Sequence, residues 1–176
     1  MDCNYTRIGN QIELVIEKRF SHPPAKVWRV LTERELLRQW FPCDVAGEWK
    51  VGERLQFIFP DGQHEGLSEE ELRGEVLVVD APNQLEFTWG KYKYRCELSA
   101  DGDGCRLRFV ESFGDPSEGA RSAAGWEMCF QNFDAILQNT DVASFVWEVW
   151  QAKFDKYVKK FEPELGTQQG APTYDD

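Results

Sequence analysis

Between Leu72 and Glu111 the chain offers four strand-like runs, Leu72–Val79, Leu85–Trp89, Tyr92–Leu98 and Cys105–Glu111, parted only by Ala81-Pro82-Asn83, Gly90-Lys91 and Asp101-Gly102-Asp103-Gly104. A parallel return needs a crossover of about a dozen residues, so breaks this short force antiparallel neighbours and predict a meander. Two more strands precede it. Ile12, Leu14 and Ile16 alternate with Glu13 and Glu17, and Leu55, Phe57 and Phe59 alternate with Arg54, Gln56 and Ile58 ahead of a turn at Asp61-Gly62. Period two marks a half-buried strand. The polar, acidic stretch from Gln63 to Glu71 reads as a loop.

Helices bracket the sheet. Pro23 and Pro24 open the first, where a missing N–H is harmless, and Val27, Trp28 and Leu31 form its inward stripe. Thr32-Glu33-Arg34-Glu35 has the spacing of a capping box, which predicts a second short helix carrying Leu36, Leu37 and Trp40 inward and stopped by Pro42. Near the end, Trp126, Cys129, Phe130, Phe133, Ile136 and Leu137 recur at helical spacing. After Asn139-Thr140-Asp141 a second stripe follows, through Val146, Trp147, Trp150, Phe154, Tyr157, Val158 and Phe161, with Glu148, Gln151, Asp155 and Lys159 opposite. That is an amphipathic helix over about 142–161. Residues 1–162 are expected to form one domain, with 163–176 a flexible acidic tail.

Composition narrows the function classes. A formal net charge of −11 and the absence of a Lys/Arg block argue against nucleic acid and anionic membranes. No apolar run approaches the ~18 residues of a membrane span and no signal-peptide core is present, so the expected location is cytoplasmic. The five cysteines are an odd number without a C-x-x-C pair, which points away from a disulfide framework or structural zinc and toward buried small hydrophobes. His22 and His64 have no matched ligand set, and nucleotide-binding and acyl-transfer motifs are missing. No metal and no tightly bound cofactor are expected.

The order of strand, helix pair, meander and long helix is that of the helix-grip fold. Ala25-Lys26-Val27-Trp28-Arg29-Val30-Leu31 and Leu37-Arg38-Gln39-Trp40-Phe41 resemble the opening of the SRPBCC (START-like) superfamily. Within it, the chain is similar over about 11–138 to the family named after the C-terminal domain of the activator of Hsp90 ATPase. Trp49-Lys50-Val51-Gly52-Glu53, Gly74-Glu75-Val76, Leu85-Glu86-Phe87-Thr88-Trp89, Asp101-Gly102-Asp103-Gly104-Cys105 and Gly125-Trp126 fit that family in order and spacing. Val51-Gly52 replaces the usual double glycine, and the helix after residue 141 is extra. That helix would cover one end of a cavity or make an oligomer contact, so both monomer and homodimer stay open. The implied fold is α+β: a curved antiparallel sheet of roughly six to seven strands gripping a long helix.

What the resemblance implies is a cavity between sheet and helix. Trp40, Phe57, Phe59, Trp89, Tyr94, Phe109, Trp126, Phe130 and Phe133 would line it, or else simply fill the core. Parity places Tyr92 and Tyr94 on the face of Cys96 and Leu98, and Glu111 on the face of Leu107 and Phe109. A carboxylate at Glu111 facing that interior would be raised in pKa, whereas a strand-end residue would reach water. Ser68-Glu69-Glu70-Glu71 reads as a solvated loop or as a lid, and the Trp147/Trp150/Phe154/Tyr157 stripe as core or as a docking face. The leading expectation is binding of a hydrophobic or amphipathic small molecule. The alternatives are a module that contacts an Hsp90-type chaperone, and a cyclase- or hydrolase-like enzyme working in the cavity.

Overall fold

A computed structural model describes residues 3–60 and 66–170; the Asp61-Gly62 turn and His64 lie outside them. In chain order it contains β1 (Cys3–Ile8), β2 (Gln11–Phe20), α1 (Pro24–Thr32), α2 (Arg34–Leu37), β3 (Asp44–Ala46), β4 (Arg54–Ile58), β5 (Arg73–Asp80), β6 (Gln84–Trp89), β7 (Tyr92–Asp101), β8 (Gly104–Phe113), a 3₁₀ turn (Pro116–Glu118), α3 (Gly119–Gln138) and α4 (Trp147–Leu165). The strands form one eight-stranded antiparallel sheet in the order β1-β2-β8-β7-β6-β5-β4-β3. This is the helix-grip architecture, with α3 lying across the concave face.

The sheet has more strands than the alternation predicted because β1 and β3 carry little of it. β1 buries only Cys3, and β3 is three residues long; both are edge strands. The meander is as expected, and β2 closes on it from far away in sequence. Leu14 pairs with Glu111, Glu111 with Tyr94, Tyr94 with Phe87, and Phe87 with Val76, so one continuous row of side chains crosses five strands. Because faces alternate along a strand, the row lies on the α3 side throughout. The opposite face carries ion pairs such as Arg95–Glu13, Arg108–Glu97 and Lys93–Glu86.

The capping box does not form. The Thr32 hydroxyl donates back to the carbonyl of Trp28, and Glu33, not Thr32, occupies the N-cap of α2 without a side-chain bond to the backbone. Glu33 is drawn instead to Arg29, one helical turn earlier. Leu37 and Trp40 still turn inward, and the Trp40 indole N–H donates to the carbonyl of Val30 at 2.9 Å.

α3 ends at Asn139, whose φ of 54° is the left-handed cap expected after a long helix. The extra helix α4 folds back on its own chain. It buries Trp150, Phe154, Tyr157, Phe161 and Leu165, while Trp147 stays half exposed. Glu127 of α3 accepts hydrogen bonds from Lys153, Lys156 and the Tyr157 hydroxyl at 2.7, 2.8 and 2.7 Å. At the other side of α4, Tyr5 of β1 donates to Glu164. Part of the predicted tail is ordered: α4 runs to Leu165, and Gln168 is buried against the start of α3. Its side-chain oxygen accepts from the Ala120 N–H at 2.9 Å. Residues 171–176 lie outside the described ones. No helix among the described residues is long and apolar enough to cross a membrane.

Candidate functional site

The predicted lining residues meet in a chain of rings between sheet and α3. Trp40 from the segment after α2 lies 4.9 Å from Phe133 and 5.6 Å from Phe130; Phe130 lies 5.3 Å from Phe109, and Phe109 lies 4.7 Å from Trp126. Trp126 then meets Tyr94 at 5.6 Å, and Phe57 stacks on Trp89 at 4.5 Å. Phe59 and Trp89 are partly exposed and mark the outer end of this wall. Phe41 and Phe87 belong to it as well, packing on Trp126 and Tyr94 respectively. Phe87 was within reach of strand parity, since it lies two residues before Trp89.

The rings fill their own space. The gap enclosed by Leu31, Leu37, Trp40, Phe41 and Phe109 measures about 10 Å³, room for about one water molecule. In this conformation the interior is packed, and a ligand would have to displace side chains.

One polar group is set into the wall. Glu111 is buried, and its two carboxylate oxygens accept from the Tyr94 hydroxyl at 3.0 Å and the Trp126 indole N–H at 2.9 Å. The β7–β8 register places Tyr94 directly across from Glu111, while α3 lowers Trp126 onto them from above. Of the two readings of Glu111, the inward one holds. Burial pushes its carboxyl up to about 7; hydrogen bonds from Tyr94, Trp126 and Ser122 oppose that rise, and the nearby charge of Glu118 adds to it. Burial likewise drives the Tyr94 phenol well above its ordinary range.

Tyr92 belongs to a second cluster. Its hydroxyl donates to Glu118 Oε1 at 3.1 Å, and the same oxygen accepts from Lys91 at 2.9 Å and Arg121 at 3.1 Å. Glu118 was invisible in the sequence, because Asp115-Pro116-Ser117-Glu118 reads as an ordinary polar turn. Lys91 and Tyr92, at the β6–β7 hairpin, reach it from far away in sequence. Ser68 and Glu71 form a local turn through their side chains, and the Glu71 carbonyl accepts from the Trp89 indole at 2.9 Å. The acidic loop therefore reaches the outer end of the aromatic wall.

All five cysteines are free, and the thiols of Cys96 and Cys129 are pushed up to about 12 by burial. Such thiols are poor nucleophiles. No group of His, Cys, Asp and Glu able to hold a metal occurs among the described residues.

The family described as "Activator of Hsp90 ATPase homolog 1-like protein" matches residues 21–138. The chain belongs to this family. Comparison with curated proteins gave no match. Among solved structures, CalU16 from Micromonospora echinospora has a TM-score of 0.70 at 18% identity, covering 90% of this chain and 94% of its own. The conserved protein EF2215 from Enterococcus faecalis, of unknown function, reaches 0.69 at 20% identity over 89% and 91% of the two chains. DynU16, a protein in the dynemicin biosynthetic locus, reaches 0.63 at 21% identity, over 76% of this chain and 49% of its own. At these identities the likeness is one of fold.

Proposed function

We propose that the protein binds a hydrophobic or amphipathic small molecule between the sheet and α3. The observation that carries this reading is the Glu111–Tyr94–Trp126 triad, three polar groups joined to one another inside an aromatic wall. A core built for stability alone loses little when such a buried polar set is replaced by apolar side chains. A ligand site, by contrast, is an apolar surface with a few fixed polar groups. Apolar burial would supply the affinity, about 25 cal/mol per Å² before ordering costs, and the partly exposed Phe59 and Trp89 mark the way in. The fold's occurrence in a protein of a biosynthetic locus also supports a small-molecule role.

Native mass spectrometry of freshly purified protein, compared with its denatured mass, tests this reading. A reproducible small adduct that lifts the thermal midpoint when added back is the expected result. A bare mass, together with no stabilisation by any lipophilic compound at a hundredfold excess over a micromolar Kd, would count against it, since such a ligand stabilises by about 2.7 kcal/mol.

A second reading, catalysis in the same place, is favoured by one observation: Glu111 is a buried carboxyl, raised by burial to about 7 and oriented by the Tyr94 hydroxyl, which is the environment a general acid or base needs. Turnover that is lost in Glu111→Gln while ligand affinity is kept would select it. Contact with an Hsp90-type chaperone has the family description behind it; co-purification with the chaperone would support it.

A further inference from the structure

Resting on the small-molecule reading above, we propose that the ligand carries a neutral hydrogen-bond donor, a hydroxyl or phenol group, and that Glu118 Oε2 accepts from it. Glu118 is 5% exposed, and three donors, Lys91, Tyr92 and Arg121, converge on its Oε1. Its other oxygen, Oε2, is buried and meets no donor among the described residues. Buried polar atoms are nearly always paired, and a carboxylate oxygen closed off from bulk water needs a donor from elsewhere.

The charges around it select which donor. Lys91 and Arg121 already neutralise Glu118, so an ammonium arriving at Oε2 would meet two cations without gaining an uncompensated anion. An anionic head would face Oε2 itself and, beyond it, Glu111, whose carboxyl feels the charge of Glu118. A neutral O–H supplies the missing donor and avoids both repulsions. Oε2 itself is closed off, so a ligand gains it by displacing a neighbouring side chain, as it must among the rings. Lys91 is largely exposed while Tyr92 is half-buried against Phe113, so Glu118 stands at the boundary between solvent and the aromatic interior. An amphipathic ligand with an apolar body among the rings and a hydroxyl at Glu118 fits that boundary.

The test is a titration, followed by tryptophan fluorescence, with four probes that share one apolar body: para-octylphenol, octylbenzene, para-octylbenzoate and para-octylbenzylammonium. The wild-type protein is expected to bind the phenol about tenfold more tightly than the other three, the worth of one hydrogen bond to a charged acceptor. In Glu118→Gln the three donors hold the amide oxygen and leave its N–H₂ at the same spot, where the phenol can only accept from a neutral group, so the phenol is expected to lose most of its advantage over octylbenzene. If octylbenzene or either charged probe equals the phenol on wild type, the donor proposal is overturned while small-molecule binding stands. A phenol preference that is undiminished in Glu118→Gln, in a protein with wild-type circular dichroism, also overturns it, and assigns Oε2 a structural water. If none of the probes binds, both readings fall together. The wild-type series needs no variant, so a misfolded Glu118→Gln does not protect the proposal.

Discussion

Glu111 and Tyr94 stand directly opposite each other on neighbouring strands, and the Tyr94 hydroxyl donates to Glu111 Oε1 at 3.0 Å beneath the Trp126 ring. The pairing makes protonation of Glu111 a stability variable. Its folded pKa, about 7, lies above the ordinary value of 4.5. The folded state therefore holds a proton that the unfolded chain gives up, and stability from this group is full below about 4.5 and lost as pH rises through about 7. The loss is expected to be on the order of 3 kcal/mol. Urea unfolding at pH 5 and pH 8 measures it. Glu111→Gln, which cannot ionise, should flatten the difference between the two; an unchanged difference would mean that another group sets the slope.

Glu127 works in the opposite direction and in a separate window. Burial alone would raise it, but hydrogen bonds from Lys153, Lys156 and Tyr157 outweigh that and hold it at about 2. A depressed carboxylate contributes stability that is present above 4.5 and lost as pH falls toward about 2. Glu127→Gln should lower stability at pH 7 by about 1–2 kcal/mol, allowing for solvent screening, because Lys153 keeps its charge in a mostly buried place. The deficit should vanish near pH 2. Equal midpoints for the two proteins at pH 7 would show that α4 is held to α3 by apolar packing alone.

How legible this was in the sequence depended on the range of the interaction. Period two placed Leu14, Tyr94 and Glu111 on the inner face, and the short breaks between strands fixed the antiparallel order. Those signals are local. Parity also put Tyr92 with Tyr94, and Tyr92, the first residue of β7, does pack on that face against Phe113; its partner Glu118 comes from the turn before α3, which no spacing along β7 could name. β1 was missed because its sequence, Cys-Asn-Tyr-Thr-Arg-Ile, is mostly exposed and owes its extended form to pairing with β2. The capping box failed because the Thr32 hydroxyl turns back to the Trp28 carbonyl and Glu35 pairs with Arg38 one turn on. Whether the aromatic face encloses a hole or fills it is decided by how the rings interlock across β-strands and α3. No spacing along the chain encodes that.

Gly74 is a close-approach glycine. A Cβ added there would lie 1.9 Å from the Thr88 carbonyl oxygen and 3.0 Å from the Phe57 ring, so β5 can pass this near β6 only without a side chain. The contact is with backbone, which has little room to yield. Gly74→Ala is expected to cost about 2–4 kcal/mol and to disturb the Phe57–Trp89 stack. A lowered midpoint in thermal unfolding with a red-shifted tryptophan emission is the expected outcome. Wild-type values for both would show that β5 shifts freely at this point.

Gln168 fastens the chain beyond α4 to the first turn of α3. Its side-chain oxygen takes the Ala120 N–H at 2.9 Å, and its amide donates to the carbonyls of Gly166 at 2.8 Å and Pro116 at 3.2 Å. Ala120 is fully buried, so the N–H that Gln168 satisfies is one of the unpaired donors of a helix start and has no water to turn to. Gln168→Ala should therefore cost about 1–3 kcal/mol and speed hydrogen exchange at the Ala120 amide. Gln168→Glu keeps the acceptor at a helix N-terminus that favours negative charge, but sets a carboxylate against two carbonyls. It should protect Ala120 and still be less stable than wild type. The same turn carries Glu118, so loosening it is expected to weaken phenol binding in proportion to the exchange rate. If Ala120 exchanges equally slowly in all three proteins, the segment after α4 lies against the domain without holding it.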